Sequence, residues 1–394
     1  MNLTGRPIFR PRKRYFVLAA TLCAAALICQ PSHAQHAQKR TGSMVPNKPA
    51  LGAAGERLNA NTIAIISGNL NATYVTIAYD LSAVLDDGDE FRVLPVIGKG
   101  GGQNIKDVRY LKGVDLGITQ SNLLGYFKRS NEIGPIDDKI VYIAKLFNEE
   151  MHLVVRADSG IASIEQLAGK KVNFSDLGSG TQLSTRDIFE RLGIKAEELN
   201  MGQSDALEKL KSGEIAATVL IAGKPAGAMT KIKAAEGFRI LPIAYPKVLH
   251  DDYLPAMLTN EDYPGLIAPG QKVETVAVGA VLIAFNWPKG SDRYRRIQKF
   301  VDTFFPRLTE FQKPPRHPKW REANVAAVLP GWKRFEGAEE WLRAHAIVSD
   351  ADRGRFDNFL AVRQQQAQPA SLDGDERDQL FQEFMKWQKA RERR

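Results

Sequence analysis

The middle of the chain alternates between two hydrophobic periods. Residues 62–67 and 91–97 are short apolar runs of strand length, whereas residues 74–85 repeat apolar side chains at helical spacing. Strand-like and helix-like segments continue in turn up to a last helix at 292–305, which Pro306 ends. Alternating strands and helices of this kind predict an α/β fold with mainly parallel sheets.

Polar loops follow three of the predicted strands, at residues 67–73, 98–104 and 119–122. In open α/β sheets, ligands bind in the crevice beyond the carboxyl ends of the strands. None of these loops has a nucleotide-binding pattern. No glycine loop ends in Gly-Lys-Ser or Gly-Lys-Thr, and GKGGGQN lacks the dinucleotide spacing.

The stretch VNFSDLGSGTQLSTRDIFERL, residues 172–192, predicts a strand, a glycine-rich turn and a helix. Such a corner directs backbone N–H groups and the positive end of the helix dipole at one spot, where Ser179 and Thr181 add hydroxyl groups. This arrangement would suit a small anion. The alternative is an ordinary turn in which a Ser or Thr side chain caps the helix.

Two long apolar segments predict how the chain passes between lobes. Residues 139–158 favour two strand-like runs around Phe147-Asn148-Glu149-Glu150, and we interpret the paired glutamates as ordinary loop charges. Residues 273–285 form an apolar, β-branched run that is long enough to cross between two lobes. The helix at 292–305 is then expected to pack back on the first lobe.

The first 34 residues have the three-part pattern of a secretory signal peptide. Five basic residues precede an apolar run at 15–29, and a small residue, Ala34, marks the expected cleavage site. A membrane anchor is the alternative, but the run is too short to span comfortably. We expect a periplasmic protein with a flexible lead-in at 35–60 and no transmembrane segment in its mature chain.

Removal of this leader would change the chemistry open to the protein. Both cysteines, Cys23 and Cys29, lie inside the apolar run, so the mature chain would have no disulfide, no thiol catalyst and no cysteine metal site. The formal net charge of +9 would fall to +4, because the leader carries five basic residues and no acidic one. We therefore expect no nucleic-acid partner.

The order of these parts resembles the TAXI family, the solute-binding subunits of one branch of tripartite ATP-independent periplasmic (TRAP) transporters. The matching pieces are IISGNLNATYVTIAYDL, GKGGGQNIKDVRYLKGVDLGITQSN, the GSGT turn between LAGKKV and RLGI, AGKP and VETVAVGAVLIAFNWP, and they cover roughly residues 61–308. The resemblance implies the α/β fold of a two-lobed, type II-like periplasmic binding protein, in which each lobe is a mainly parallel sheet flanked by helices and a strand hinge joins the lobes. The implied first lobe is 61–150 with 283–345, the second is 151–282, and 346–394 is a C-terminal helical extension.

The resemblance also implies a function and a set of binding residues. The lobes would close on a small carboxylate-bearing solute and deliver it to the membrane permease subunits of a TRAP transporter. Lys99 and Lys224 are unusual cations near the expected cleft; each would attract an anion if it pointed inward, and otherwise would be a solvated surface charge. The residues carried over from the family's pocket are Ser67, Asn69, Asn71, Tyr74, Gly102, Gln103, Asn104, Gln120, Ser121, Ser179, Gly180, Thr181, Gly223 and Pro225.

Catalysis is not expected. The five histidines beyond the leader are scattered without metal-ligand spacing, and Ser179 lies in no Gly-x-Ser-x-Gly elbow. We therefore expect no enzyme activity, no cofactor and no metal, and we interpret His152 as a core or hinge residue. Two other functions remain open: an ABC-type substrate-binding protein, or a periplasmic sensor or scaffold that uses the tail, whose apolar face is Leu380, Phe381, Phe384, Met385 and Trp387.

Overall fold

A computed structural model of the protein describes residues 52–70 and 72–345. The predicted leader and C-terminal extension lie outside these residues. The helices are α1 Ala53–Asn61, α2 Thr73–Leu85, α3 Gly101–Tyr110, α4 Leu123–Ser130, α5 Gly180–Arg191, α6 Gln203–Ser212, α7 Asp292–Phe304, α8 Leu308–Phe311 and α9 Glu336–Ala344. The strands are β1 Thr62–Ile66, β2 Arg92–Val96, β3 Leu116–Gln120, β4 Ile140–Arg156, β5 Lys171–Asn173, β6 Glu197–Leu199, β7 Ala217–Ala222, β8 Phe238–Ile240, β9 Leu254–Thr259 and β10 Lys272–Phe285.

The strands form one continuous sheet in the order β2-β1-β3-β10-β4-β7-β5-β6, with β8 paired to β4 and β9 paired to β10. The strands β2, β1 and β3 are parallel to one another, and so are β7, β5 and β6. The two long strands β4 and β10 run antiparallel between these groups. The fold is the predicted two-lobed α/β architecture, with a first lobe around β1–β3 and a second lobe around β5–β7.

The strand β4 corrects a prediction. Residues 147–150 were expected to form a turn between two strands, but Ile140–Arg156 is a single strand of 17 residues. Its first part pairs with β10, and from Glu150 onward it pairs with β7 of the second lobe. Partner strands on both sides keep this polar stretch extended, and the glutamates are therefore not loop charges.

The strand β10 crosses between the lobes as predicted. Its first residues, from Lys272 to Ala277, pair with β9, and Ala280–Ala284 pair with β3 of the first lobe. The register of its pairing with β4 shifts between Ala280 and Val281. Both β4 and β10 therefore belong to the two lobes at once, which makes them the connection about which the lobes would move.

Each lobe has its own hydrophobic core. In the first lobe, α7 packs against the sheet beside a group of aromatic rings. The ring centroid of Trp320 lies 5.9 Å from that of Phe304 and 4.6 Å from that of Phe311. The Trp320 indole donates to Asp80 Oδ2 at 2.9 Å, so its one polar atom is satisfied. The second core surrounds Leu153, Val172 and Val219.

Two local differences concern helix starts. The helix α1 lies largely within the predicted flexible lead-in, where its alanines favour a helix and Asn61 hydrogen-bonds to Asp89 O and Lys299 Nζ. The helix α3 begins at Gly101 rather than after the glycine loop, because Gly100 adopts a positive φ of 80° that turns the chain into the helix. Within the described part of the chain, no helix has the length and apolar character needed to cross a membrane.

Candidate functional site

A cavity of about 550 Å³ lies between the two lobes. The first turns of four helices face it: α2 and α3 from the first lobe, and α5 and α6 from the second. The first N–H groups of a helix have no partner within the helix, and the helix dipole gives this end a positive potential. Four such ends contribute positive potential to the cavity, and the charged side chains in its lining are two lysines, Lys99 and Lys231, and the acidic Asp176, Asp205 and Glu149.

Seven of the sequence-predicted binding residues line this cavity: Asn69, Tyr74, Lys99, Gln120, Ser179, Gly180 and Thr181. Asn71 lies outside the described residues. The cavity also has lining residues that the sequence did not single out: the apolar Leu70, Ile97, Leu207 and Leu220, and the charged Glu149, Asp176, Asp205 and Lys231.

Other predicted residues hold the loops in place beside the cavity rather than lining it. Asn104 is fully buried; its amide nitrogen donates to Ser67 O at 2.9 Å and Ile118 O at 2.8 Å, and its Oδ1 accepts from Gly100 N at 3.2 Å. It therefore connects the loops that follow β1 and β2 to strand β3. Ser67, Gly102, Gln103 and Ser121 likewise lie outside the cavity lining.

Lys224 does not point into the cavity. Its ammonium group donates to Met257 O at 2.7 Å and pairs with Asp262 at 3.1 Å, both within the second lobe. The neighbouring Gly223 packs under Phe147 and Lys319, and its carbonyl accepts from the Thr73 hydroxyl at 3.1 Å. Gly223, Lys224 and Pro225 thus contact or flank the first lobe without lining the cavity.

The hydroxyls of the GSGT turn are used within the second lobe. Ser179 caps α5 by accepting from Gln182 N at 3.1 Å. The Thr181 hydroxyl accepts from Ile221 N at 3.0 Å and donates to Ile221 O, so it ties α5 to β7. The Thr181 hydroxyl is therefore committed within the second lobe, whereas the Ser179 hydroxyl only accepts there and keeps its proton for a bound anion.

The lobes contact each other directly at the edge of the cavity. Gln103 N donates to Gly178 O at 3.0 Å, and Asn69 donates to Asp176 Oδ2 at 3.2 Å. The starts of α3 and α5 approach so closely that a Cβ at Gly101 would lie 2.1 Å from the Gly180 Cα. Glycine at these two positions permits this approach of the two backbones.

Glu149 is the main feature that the sequence interpretation missed. It is 3% exposed, lines the cavity, and accepts at Oε2 from the Tyr74 hydroxyl at 2.6 Å and from Gln120 Nε2 at 3.1 Å. Burial raises its pKa to about 8, although these two hydrogen bonds act in the opposite direction. A buried carboxyl with this pKa is mostly neutral at pH 7, so Glu149 adds little negative charge to the cavity.

Glu150, the next residue of β4, points to the opposite face and forms a buried ion pair. Lys319 is 2% exposed and donates to Glu150 Oε1 at 2.6 Å and to Glu322 Oε1 at 2.7 Å. Glu150 Oε2 accepts from Lys224 N at 3.1 Å. Burial raises the pKa of Glu150, and the Lys319 ammonium opposes this rise.

Among residues 52–70 and 72–345, no group of three His, Cys, Asp or Glu side chains has a geometry that could hold a metal ion. His152, expected in the core or hinge, is completely buried in β4 and lies 2.7 Å from the Tyr263 hydroxyl.

The fold and the cavity together define a two-lobed α/β protein whose lobes enclose a partly polar cavity. Residues 67–308 match the NMT1-like family, and since this is more than half of the chain, the protein belongs to that family.

Several solved structures have distant similarity to the chain. The amino acid ABC transporter substrate-binding protein AbpA from Streptococcus pneumoniae, bound to L-arginine, is 14% identical over 65% of this chain and 92% of its own, with a TM-score of 0.38. The periplasmic binding protein BugD is 14% identical over 68% of this chain and 88% of its own, with a TM-score of 0.41. XAC2383 from Xanthomonas citri, bound to ATP, is 12% identical over 73% of this chain and 99% of its own, with a TM-score of 0.42.

Proposed function

We propose that the protein is an exported solute-binding protein that captures a small organic anion between its lobes and delivers it to a TRAP-type membrane permease. The observation that carries this proposal is the interlobe cavity of about 550 Å³, which the starts of four helices face. A carboxylate, such as that of an amino acid or a dicarboxylate, would accept hydrogen bonds from their N–H groups. Lys99, exposed on the cavity wall, would add long-range attraction.

The remaining lining supports an organic ligand rather than a simple inorganic ion. Leu70, Ile97, Leu207 and Leu220 supply apolar wall. A cavity of about 550 Å³ falls within the range of roughly 300–1,000 Å³ that is typical of small-molecule sites. A solute with a carbon skeleton would fill this space and displace water from the apolar side chains.

The TRAP partner is proposed from the order of sequence motifs shared with the TAXI branch. An ABC-type binding protein would have a similar two-lobed architecture, and a neighbouring gene for a transport ATPase would favour it. A sensor or scaffold function is the third possibility. It is favoured by the way the protein itself uses Tyr74, Gln120 and Thr181, which were expected to bind solute.

A thermal-shift screen of the purified mature protein against amino acids, dicarboxylates, keto acids and aromatic acids tests this function. A solute that binds only the folded protein raises the melting temperature as its concentration increases. Lys99→Ala should weaken binding about fivefold, which corresponds to roughly 1 kcal/mol for a partly exposed charge. Lys170→Ala, which removes an exposed lysine outside the cavity, should leave the affinity unchanged. If no acid stabilises a well-folded sample, the sensor or scaffold function is the better explanation.

A further inference from the structure

A chain of buried hydrogen bonds fixes the orientation of the amide groups beside the cavity. An ionised Asp187 carboxylate accepts hydrogen bonds and cannot donate them. The Tyr253 hydroxyl therefore donates to Asp187 at 2.8 Å, and the Tyr253 oxygen must accept from Asn122. The Asn122 NH₂ group therefore faces both Tyr253 and Ser184, each at 2.9 Å. Ser184 Oγ accepts from Asn122, and its own proton is free to be donated elsewhere.

That proton goes to Gln120. Ser184 Oγ donates to Gln120 Oε1 at 2.6 Å, which places the Gln120 NH₂ group against Glu149 Oε2 at 3.1 Å. The Tyr74 hydroxyl donates to the same oxygen at 2.6 Å. Oε2 of Glu149 thus accepts two hydrogen bonds. When this carboxyl is protonated, the other oxygen, Oε1, carries the proton.

Oε1 of Glu149 is the carboxyl oxygen that remains for a solute. Glu149 lines the cavity, and Oε1 has no hydrogen bond to a described residue. It is also absent from the buried polar atoms of this part of the chain that are sealed off without a partner. Oε1 is therefore not fully enclosed, and because Glu149 lines the cavity, we infer that a bound solute would meet this oxygen.

The groups around Glu149 are consistent with a neutral carboxyl. Tyr74 of α2 has its pKa raised well above its ordinary value by burial, so it is a neutral donor. Glu150 on the same strand raises the pKa of Glu149, and Lys319 opposes this more distantly; the net result, dominated by burial, is a pKa of about 8. Lys99 and Asp176, from the loops before α3 and α5, line the same cavity with opposite charges.

We propose that Glu149 determines the specificity of the cavity by carrying a proton on Oε1, which it donates to a carboxylate oxygen of the bound solute. This proposal rests on the proposed function and identifies which deep side chain recognises the anionic group. The proton stays on Glu149 and no covalent bond changes. An anion then binds together with a proton whenever Glu149 is ionised in the free protein, because two adjacent buried carboxylates repel each other.

The test is calorimetric titration of the full mature chain with sodium glutamate, sodium benzoate and any acid found in the screen, between pH 6 and pH 9. Wild-type affinity should be constant up to pH 7 and fall about tenfold per pH unit above pH 8, with proton uptake on binding. Glu149→Gln, whose amide can accept at its oxygen and donate at its nitrogen, should bind within about threefold of wild type and without this pH dependence. Glu165→Gln, the same change at an exposed position outside the cavity, should keep the wild-type profile.

Infrared spectra give a readout that requires no ligand. Wild type should show a protonated buried carboxyl at pH 7 that Glu149→Gln lacks. Equal pH profiles for wild type and Glu149→Gln would overturn the proposal while leaving the binding function intact. Binding that strengthens above pH 8 would overturn it too, since Glu149 would then act as an ionised acceptor for a cationic group. If none of these acids binds either protein at any pH, the binding function fails and this proposal fails with it.

Discussion

His152 illustrates how a single buried polar side chain is kept neutral. Its Nδ1 lies 3.2 Å from Leu220 O and its Nε2 lies 2.7 Å from the Tyr263 hydroxyl. The carbonyl can only accept, so Nδ1 carries the proton and Nε2 accepts from Tyr263. Burial lowers the pKa of His152 to about 4, well below its ordinary value of 6.5. The sequence predicted a core or hinge position for this residue because it lies in an apolar run, but it gave no sign of Tyr263, which is 111 positions away.

The neutral state of His152 predicts acid sensitivity. A histidine with a lowered pKa in the folded protein stabilises it above the unfolded pKa of 6.5, and this stability is lost as the pH falls from 6.5 to about 4. Between pH 7 and pH 5, His152 should account for a loss of roughly 2 kcal/mol in the free energy of unfolding. Urea unfolding of wild type and His152→Leu at both pH values checks this. The variant should lose less stability between the two pH values, and an equal loss in both proteins would contradict the assignment.

Glu149 and Glu150 show which features of β4 a local sequence pattern predicts and which depend on tertiary contacts. The apolar runs on either side correctly indicated strand, and the alternation of strands and helices correctly indicated the α/β class. The intervening Asn-Glu-Glu is typical of a turn, since isolated carboxylates are rarely buried. Tyr74, Gln120 and Lys319 make burial of the two glutamates possible, and all three are distant in sequence. The local hydrophobic pattern therefore could not predict that β4 is continuous.

The short segment Pro318–Glu322 stabilises β4 through its buried lysine. Lys319 contacts Glu150, and Glu322 Oε2 accepts from Asn148 N at 2.8 Å, so the segment contacts β4 where it passes from one lobe to the other. Lys319→Met should lower the free energy of unfolding by about 3–5 kcal/mol, because it leaves Glu150 buried without its counter-charge. Adding Glu150→Gln should recover part of the loss.

A double-mutant cycle in chemical unfolding measures this coupling. The interaction energy between the two positions should clearly exceed the 0.3–0.5 kcal/mol scatter of roughly additive pairs. The exposed pair Lys289 and Glu340, which lies outside the cavity and β4, provides the matched control and should show effects that are close to additive, because solvent screens the two charges. Additive effects at Lys319 and Glu150 would show that the buried pair does not hold this segment to β4.

At the scale of the whole molecule, sequence predicted which loops meet but not how the lobes meet. Loops that follow parallel strands gather at one edge of a sheet, so Asn69, Lys99 and Gln120 were expected together and do line one cavity. The contact between the starts of α3 and α5 depends on how the two lobes are placed relative to each other. Neither GKGGGQN nor GSGT indicates by itself that Gly101 and Gly180 face each other.

The close packing around Gly180 predicts that a methyl group added at this position should shift the equilibrium from closed toward open lobes. A Cβ at Gly180 would lie 2.7 Å from Cδ of Gln120, which cannot move aside easily because Glu149 and Ser184 hold both ends of its amide. Gly180→Ala should therefore separate the lobes, and X-ray scattering should report a larger radius of gyration than for wild type. The change favours the helix itself by up to about 1 kcal/mol, so an expanded molecule would not reflect loss of α5. Gly52→Ala, also next to a helix start but with nothing within 4 Å of the added methyl group, should scatter like wild type. If Gly180→Ala matches wild type in both scattering and acid affinity, close approach of these helix starts does not control the cleft.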